Sequence, residues 1–305
     1  MRFTLIIIHR NGYKKLKTVI NSAIEAVGND DEIFIVDNNS QDGSIDAISD
    51  YLNNNKIQII RNHSNMGYGF AANQAMRKGK GNFFLICNND IKFNDNILDI
   101  LEKDFGSSPK ACMISGQLFD FSGNVKRTYH DRPTFLSELN FLKFKKHYKV
   151  PDKITRVENL TGACLAVRKN ILDKVGYYDE DFFFYFEETE WCSRIINSGY
   201  EILIDPSIRI EHIGGATSSS FRTRARIEFF KSRTIFWKKY FSKLKFTALY
   251  LLNIPLTVLD IFIYLFLTFL TLGLNRKVRE KFLERSMILL YIVMGHPKSW
   301  GITRD

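Results

Sequence analysis

Residues 3–12 read FTLIIIHRNG. A short apolar run that breaks abruptly into polar residues and a glycine suits a buried strand followed by a tight turn. The same phrase recurs as EIFIVDNNSQDGS at 32–44, IQIIRNHSNMG at 57–67 and FFLICNND at 83–90. Between these runs lie segments with helical spacing. Tyr13–Val27 carries Leu16, Val19, Ile20, Ala23, Ile24 and Val27 on one side. Ser44–Leu52 does so through Ile45, Ile48 and Leu52, and Phe70–Arg77 is a third such stretch. This alternation predicts βαβ units, and hence an α/β fold with a mostly parallel central sheet and flanking helices. In such sheets a ligand lies at the carboxyl ends of the strands. The residues after each run therefore become candidates together: His9–Asn11, Asp37–Ser40, Arg61–Gly67 and Asn88–Asp90.

The rest of the composition bounds the function. The chain has 305 residues, 45% of them apolar and 25% charged, which excludes a disordered, collagen-like or polytopic membrane chain. Lys and Arg outnumber Asp and Glu 43 to 33, a net +10 that favours anionic partners. Cys87, Cys112, Cys164 and Cys192 are far apart and sit in apolar stretches, so they read as reduced core residues rather than a disulfide framework or a zinc site. The run Phe3–Ile8 is too short for a secretory signal.

Farther along, 121–160 reads as an irregular, basic connecting or lid segment. Ala163–Val167 is a strand, Asn170–Val175 a short helix, and Glu201–Ile204 and Ile208–Ile210 are two more strands around Pro206. His212 opens a Gly- and Ser-rich stretch that reads as a mobile loop. From Arg222 to Lys245 there are nine basic residues and one acidic, interleaved with aromatics. Phe246–Leu274 then offers 29 residues with Asp260 as the only charge. That length can span a bilayer, but Asn253, Pro255 and Asp260 interrupt it, and basic flanks on both sides favour an interfacial or re-entrant hairpin on an anionic cytoplasmic leaflet. The competing readings are a buried helical subdomain and a homodimer interface. Nucleic-acid binding is the rival reading of the basic stretch, and the apolar run that follows at once argues against it.

Five constellations carry chemistry. Asp37 at a strand's carboxyl end, followed by Asn38-Asn39-Ser40, can hydrogen-bond a nucleoside, or simply form a turn. Gly67–Ala72 matches G-x-G-x-x-A with Asp90 downstream, which makes a nucleotide-sugar or dinucleotide-dependent oxidoreductase a competitor. Against it, that fingerprint belongs in the first strand–helix turn, here His9–Gly12. The alternative is a loop whose glycines let backbone approach a sugar nucleotide, with Asn65 and Asn73 supplying amides. Asp90, after Asn88-Asn89, suits Mg²⁺ or Mn²⁺ shared with a diphosphate. Glu187, Glu188 and Glu190 follow the aromatic run Phe182–Phe186. Apolar walls and mutual repulsion raise a carboxylate's pKa, as a general base near neutral pH requires, whereas an acidic first helical turn is the plainer reading. His212 can complete a metal site with Asp90.

Read in order, IIIHRNG, IVDNNSQDGS, NMGYGFAANQA, LICNND, TGACLAVRK, YYDEDFFFYFEETEWCSRI and IEHIGGAT resemble the motifs of an inverting family 2 glycosyltransferase with a GT-A (nucleotide-diphospho-sugar transferase) fold. The pattern is most similar to the bacterial rhamnosyltransferase-like enzymes of O-antigen, capsule and cell-wall polysaccharide synthesis, over roughly residues 1–240. The resemblance implies a catalytic domain over 1–221, with a donor half to about 120 and an acceptor half from about 121, and a membrane-associating helical region over 222–305. It implies that Asp37 contacts the donor nucleoside and that Asn65, Gly67 and Asn73 lie along the donor pocket, to which the strand-end residues Asn11, Asn39 and Asn89 also belong. It makes Asp90 the ligand of a divalent cation and His212 a second ligand, places Gly162 and Ala163 on the acceptor side, and puts Glu188, or else Glu190, in the position of the base. The expected donor is a dTDP- or UDP-sugar, rhamnose first among the sugars, and the expected acceptor a lipid-linked saccharide at the cytoplasmic face of the plasma membrane. A membrane-attached scaffold without turnover is the non-enzymatic alternative. Two departures stand out: the D-x-D position reads Asn88-Asn89-Asp90, and the usual Glu-Asp reads Glu187-Glu188.

Overall fold

The computed structural model describes residues 2–94, 96–139, 148–212, 222–297 and 299–302, with Arg222 by its backbone alone. Strands β1 (Phe3–His9), β2 (Glu32–Asp37), β3 (Ile57–Arg61) and β4 (Phe83–Asn88) all run parallel, in the order β3-β2-β1-β4. Beyond β4 the sheet continues through β10 (Cys164–Arg168), β6 (Ala111–Phe119), β11 (Glu201–His212) and β5 (Ile91–Phe93). Only β10 and β5 on that path run against the rest. A short β8 (Thr155–Arg156) adds to β11, and β7 (Tyr129–His130) pairs with β9 (Asn159–Leu160) as a separate ribbon within the irregular segment.

Strands β1 and β2 are buried along their whole length because both faces are covered. Side chains alternate across a strand, so Leu5 and Ile7 join one core and Ile6 and Ile8 the other. On the first face lie α1 (Tyr13–Ala26) and α3 (Ile97–Ser107), through Leu16, Val19, Leu98 and Phe105. On the second lie α2 (Tyr68–Lys78), α5 (Lys169–Val175) and α6 (Glu187–Asn197), through Ala71, Met76, Leu172 and Trp191. All four cysteines are free and buried.

Three local expectations are corrected. The helix predicted over Ser44–Leu52 is a 3₁₀ stretch at Asp46–Asn53, kinked at Ile48, so its apolar spacing buries Ile48 without a regular α-helix. The two strands predicted around Pro206 are one strand, β11, whose register shifts between Asp205 and Arg209. A bulge absorbs the proline there, and Asp205 accepts the Ser207 N–H at 2.8 Å. The predicted loop after His212 lies at 213–221, outside the described residues.

The C-terminal part is helical: α7 (Arg222–Tyr240), α8 (Lys243–Leu270) and α9 (Arg276–Val293). The short α4 (Phe135–Leu139) ties α7 to the body, because Glu138 Oε2 accepts from Trp237 Nε1 at 2.8 Å and pairs with Arg233 at 2.7 Å. Phe182, Phe186, Phe236, Trp237 and Leu249 form a third core under the aromatic run. Residues 222–240 are thus packed onto the strand-bearing body rather than standing apart. Helix α8 is the one described helix long and apolar enough to cross a membrane, by length and composition.

Candidate active site

The loops after β1 and β2 are zipped together by short polar side chains. Asn11 and Asn39 adopt left-handed backbone, φ 58° and 65°, a conformation Asn tolerates. The Asn11 amide donates to Ser40 Oγ at 3.0 Å, and its side chain accepts from Gln41 N at 2.8 Å. Asn39 Oδ1 accepts from Gln41 Nε2 at 2.8 Å. Asp37 is nearly buried; its Oδ1 accepts from Ser40 N at 3.0 Å, and among the described residues its Oδ2 accepts no hydrogen bond. Asn38, which sequence reading quoted but gave no role, is the hub. Its Nδ2 donates to Asn65 Oδ1 at 2.9 Å and Gly67 O at 3.2 Å, and its Oδ1 accepts from Met66 N at 2.9 Å.

His9, one of the strand-end candidates, holds the neighbouring loops in place. Its Nδ1 accepts from Asn89 Nδ2 at 2.8 Å, which leaves Nε2–H to donate to Ser44 Oγ at 2.7 Å. Burial pushes its pKa down to about 4, so the ring is neutral at pH 7. The Asn89 amide also donates to Asn11 O at 3.0 Å. Its Nδ2 therefore orients His9 and the first loop.

Beyond Asn89 the chain turns, and Asp90 meets the end of β11, where Ile91 and His212 are register partners. His212 Nε2 lies 3.2 Å from Asp90 Oδ1. That oxygen is buried and, among the described residues, makes no hydrogen bond. The nearly buried Asp90 carboxylate and the His212 imidazole would offer two ligands to a divalent cation. Among the described residues no group of three or more His, Cys, Asp or Glu side chains could hold a metal. The donor set fits a hard cation that would take its other ligands from substrate oxygens and water.

The carboxylate side is built by packing. Tyr185 and Phe186 both take left-handed backbone, φ 69° and 67°, immediately before α6. Non-glycine residues there cost about 1–3 kcal/mol each and persist only where the surroundings hold them. Here Phe186 packs edge-on to Phe229 and tilted against Phe236, and Ser232 Oγ donates to Phe184 O at 2.8 Å. This bend sends α6 inward with Glu187 and Glu188 on its first turn. Glu187 is buried, its Oε2 has no hydrogen-bond partner among the described residues, and burial plus the neighbouring Glu188 charge hold its pKa well above the usual range. Burial pushes half-buried Glu188 up to about 7, while the backbone N–H groups at the helix start pull the other way. Gly162 packs against it: a Cβ there would lie 3.4 Å from the Glu188 side chain. Tyr68, which sequence reading missed, donates its hydroxyl to Gly162 O at 3.3 Å. Ala163 O accepts the Asn88 N–H at 3.0 Å. The strand that ends near Asp90 is thus joined through Ala163 and Gly162 to Glu188.

Three predicted residues fall elsewhere. Asn73 is fully buried, with its amide spent on Tyr178 O and Glu180 Oε1 at 3.0 and 2.8 Å and its carbonyl on Tyr178 N at 3.1 Å. It clamps the aromatic segment and is not open to a donor. Gly67 and Gly69 serve that same segment: a Cβ on Gly67 would lie 2.5 Å from Phe183 O, and one on Gly69 3.0 Å from Tyr178 Cβ. The G-x-G-x-x-A match is therefore a close-packing device between two parts of this chain, which removes the dinucleotide reading. Glu190 is fully buried, and both its oxygens are committed. Arg194 reaches it at 2.8 Å, Lys239 at 2.6 Å and Tyr240 at 2.9 Å. It bolts α6 to α7 and is not poised to take a proton.

The model for glycosyl transferase family 2 matches residues 4–176. The chain belongs to that family. Among its relatives is the N-acetylglucosaminyl-diphospho-decaprenol L-rhamnosyltransferase of Mycobacterium tuberculosis, 22% identical over 204 residues. That match takes in 59% of this chain and 66% of the relative, just under two thirds of the relative's length. Among solved structures, S. aureus TarS in complex with UDP-GlcNAc aligns with TM-score 0.59 and 14% identity, covering 93% of this chain and 79% of that one. A mannosyltransferase from Pyrobaculum calidifontis in complex with GDP-Man and Mn²⁺ aligns with TM-score 0.58 and 15% identity, covering 96% and 86%. At these identities the likeness establishes the GT-A fold.

Proposed function

We propose that the protein transfers a sugar, with inversion, from a nucleotide-diphosphate donor to a glycan acceptor carried on a lipid. The observation that carries this is the placement of a buried Asp90 oxygen, without a hydrogen bond among the described residues, beside His212, joined through Ala163 and Gly162 to a carboxylate whose pKa lies near 7. Asp37 and the zipped loops bind and orient the donor nucleoside. Asp90 and His212 would hold Mg²⁺ or Mn²⁺. When bound, the cation supplies positive charge against the departing diphosphate. Glu188 accepts the proton of the acceptor hydroxyl as that oxygen bonds to the anomeric carbon from the face opposite the diphosphate. The anomeric C–O bond to the diphosphate breaks in the same displacement, and the nucleoside diphosphate leaves with the electron pair.

The Mycobacterium relative supports rhamnose as the first sugar to test, with a dTDP donor, and a polyprenyl-diphosphate saccharide as acceptor. Free buried cysteines and the net charge of +10 support the cytoplasmic face of a membrane. A panel of dTDP-, UDP- and GDP-sugars with Mn²⁺ or Mg²⁺ tests the reading. One donor should raise Tm and release nucleoside diphosphate. Stabilisation without turnover of any donor would leave a binding scaffold instead, and no stabilisation by any nucleotide would remove the donor site.

A further inference from the structure

Helices α8 and α9 form an antiparallel hairpin closed by the turn Thr271–Asn275, with Asn275 capping α9. Two side-chain pairs fix the register: Asp260 with Arg285 at 3.0 Å, and Tyr250 Oη with His296 Nε2 at 2.7 Å. Helix α9 therefore runs back beside α8 for most of its length. On α8, Leu252, Leu259, Phe262, Phe266 and Phe269 recur at helical spacing and are exposed, the three phenylalanines by 63, 61 and 75%. A single-sided stripe of this size on a helix packed on its other side against α9 marks an interaction surface.

The geometry points to an anionic bilayer surface as its occupant, with α8 lying along the membrane rather than through it. This deepens the lipid-acceptor reading, on which it rests for its purpose. Helix α8 is about 42 Å long, enough to span. A span, however, would carry α9 in with it, and α9 holds seven charged residues between Arg276 and Arg285. Charges at bilayer depth are costly. Lying flat removes that conflict: the stripe enters the acyl boundary while α9 stays on the aqueous side. Charge complements the placement. Lys243 and Lys245 stand at one end of the stripe, and Arg276, Lys277, Arg279 and Lys281 at the other. The single acid of the apolar run, Asp260, is already paired with Arg285. The docking element also begins three residues after Tyr240, which holds Glu190 on the helix of the proposed base.

Flotation of the full-length protein with phosphatidylcholine vesicles, with and without phosphatidylglycerol, tests this. Binding should need the anionic lipid and weaken with salt. Phe262→Asp with Phe266→Asp should cut it about tenfold or more, and neutralising Lys277 and Arg279 about fivefold or more. These side chains are exposed, so Tm should hold and donor hydrolysis should persist. The four native cysteines are buried, so Arg279→Cys provides a lone thiol for an impermeant maleimide. Labelling from the protein's own side of the vesicle supports the flat placement, and protection in the bilayer would overturn it. A protein that fails to float yet hydrolyses donor would refute the docking surface while leaving the transferase reading intact. A dimer dissolved by the two Phe substitutions, with no flotation, would assign the stripe to a second copy.

Discussion

Around Asn38 the polar groups meet one another: amide to amide, side chain to backbone, across the loops that end β1, β2 and β3. Around Glu188 the surroundings are rings and buried carboxylates, including an oxygen of Glu187 with no hydrogen-bond partner among the described residues. The first region is rigid because its hydrogen bonds are made, which suits recognition of a fixed donor. The second is held by apolar packing and left-handed backbone, and burial raises the pKa of its carboxylates, which suits a group that must pick up a proton. Asp90 and His212 lie on the seam. A single sheet edge therefore presents a binding half stabilised by satisfied polar groups and a reactive half kept poised by burial.

Substitutions can break that contrast. The largest effect is expected from Glu188→Gln: kcat for nucleoside diphosphate release should fall about 10²–10⁴-fold, with little change in donor KM. Next comes acid. His9 titrates near 4 when folded and at its ordinary 6.5 when unfolded, so its stabilising effect is present above pH 6.5. That contribution is lost as pH falls from 6.5 toward 4, on the order of 3 kcal/mol, readable in urea melts. His9→Gln should flatten this slope. On the seam, Asp90→Asn should weaken nucleoside diphosphate binding about 10–100-fold by calorimetry in Mn²⁺, with no change in chelator. The smallest effect is Glu190→Gln, which removes a buried charge whose partners Lys239 and Arg194 are partly exposed and can rehydrate. About 1–2 kcal/mol of stability should go, with far less lost in kcat than in the Glu188 variant.

The parallel half of the sheet was legible because each strand there is a short apolar run with a polar stop, and periodicity reads that directly. The antiparallel β10 and β5 and the single bulged β11 were not, since pairing direction and a proline-bearing bulge depend on tertiary neighbours. Asp90 and His212 could be named from chemistry, but their meeting depends on β5 pairing with β11, which local sequence does not encode. The roles of Asn73, Gly67 and Glu190 were misread for one reason. Each is turned toward another part of the chain, and a motif on the page looks the same whether it faces a ligand or a neighbour. Asn38, His9 and Tyr68 stood inside quoted motifs, and only their hydrogen bonds separate them from the turn residues beside them.

The pH dependence of nucleoside diphosphate release, with the donor that stabilises the protein, tests the proton acceptor most directly. The native enzyme should gain kcat/KM as pH rises through about 7, because the ionised Glu188 is the active form. Glu188→Gln should lose both the rate and that limb, while Glu190→Gln keeps the limb. A Glu188→Gln protein that turns over at near-native rate with the limb intact would place the base elsewhere.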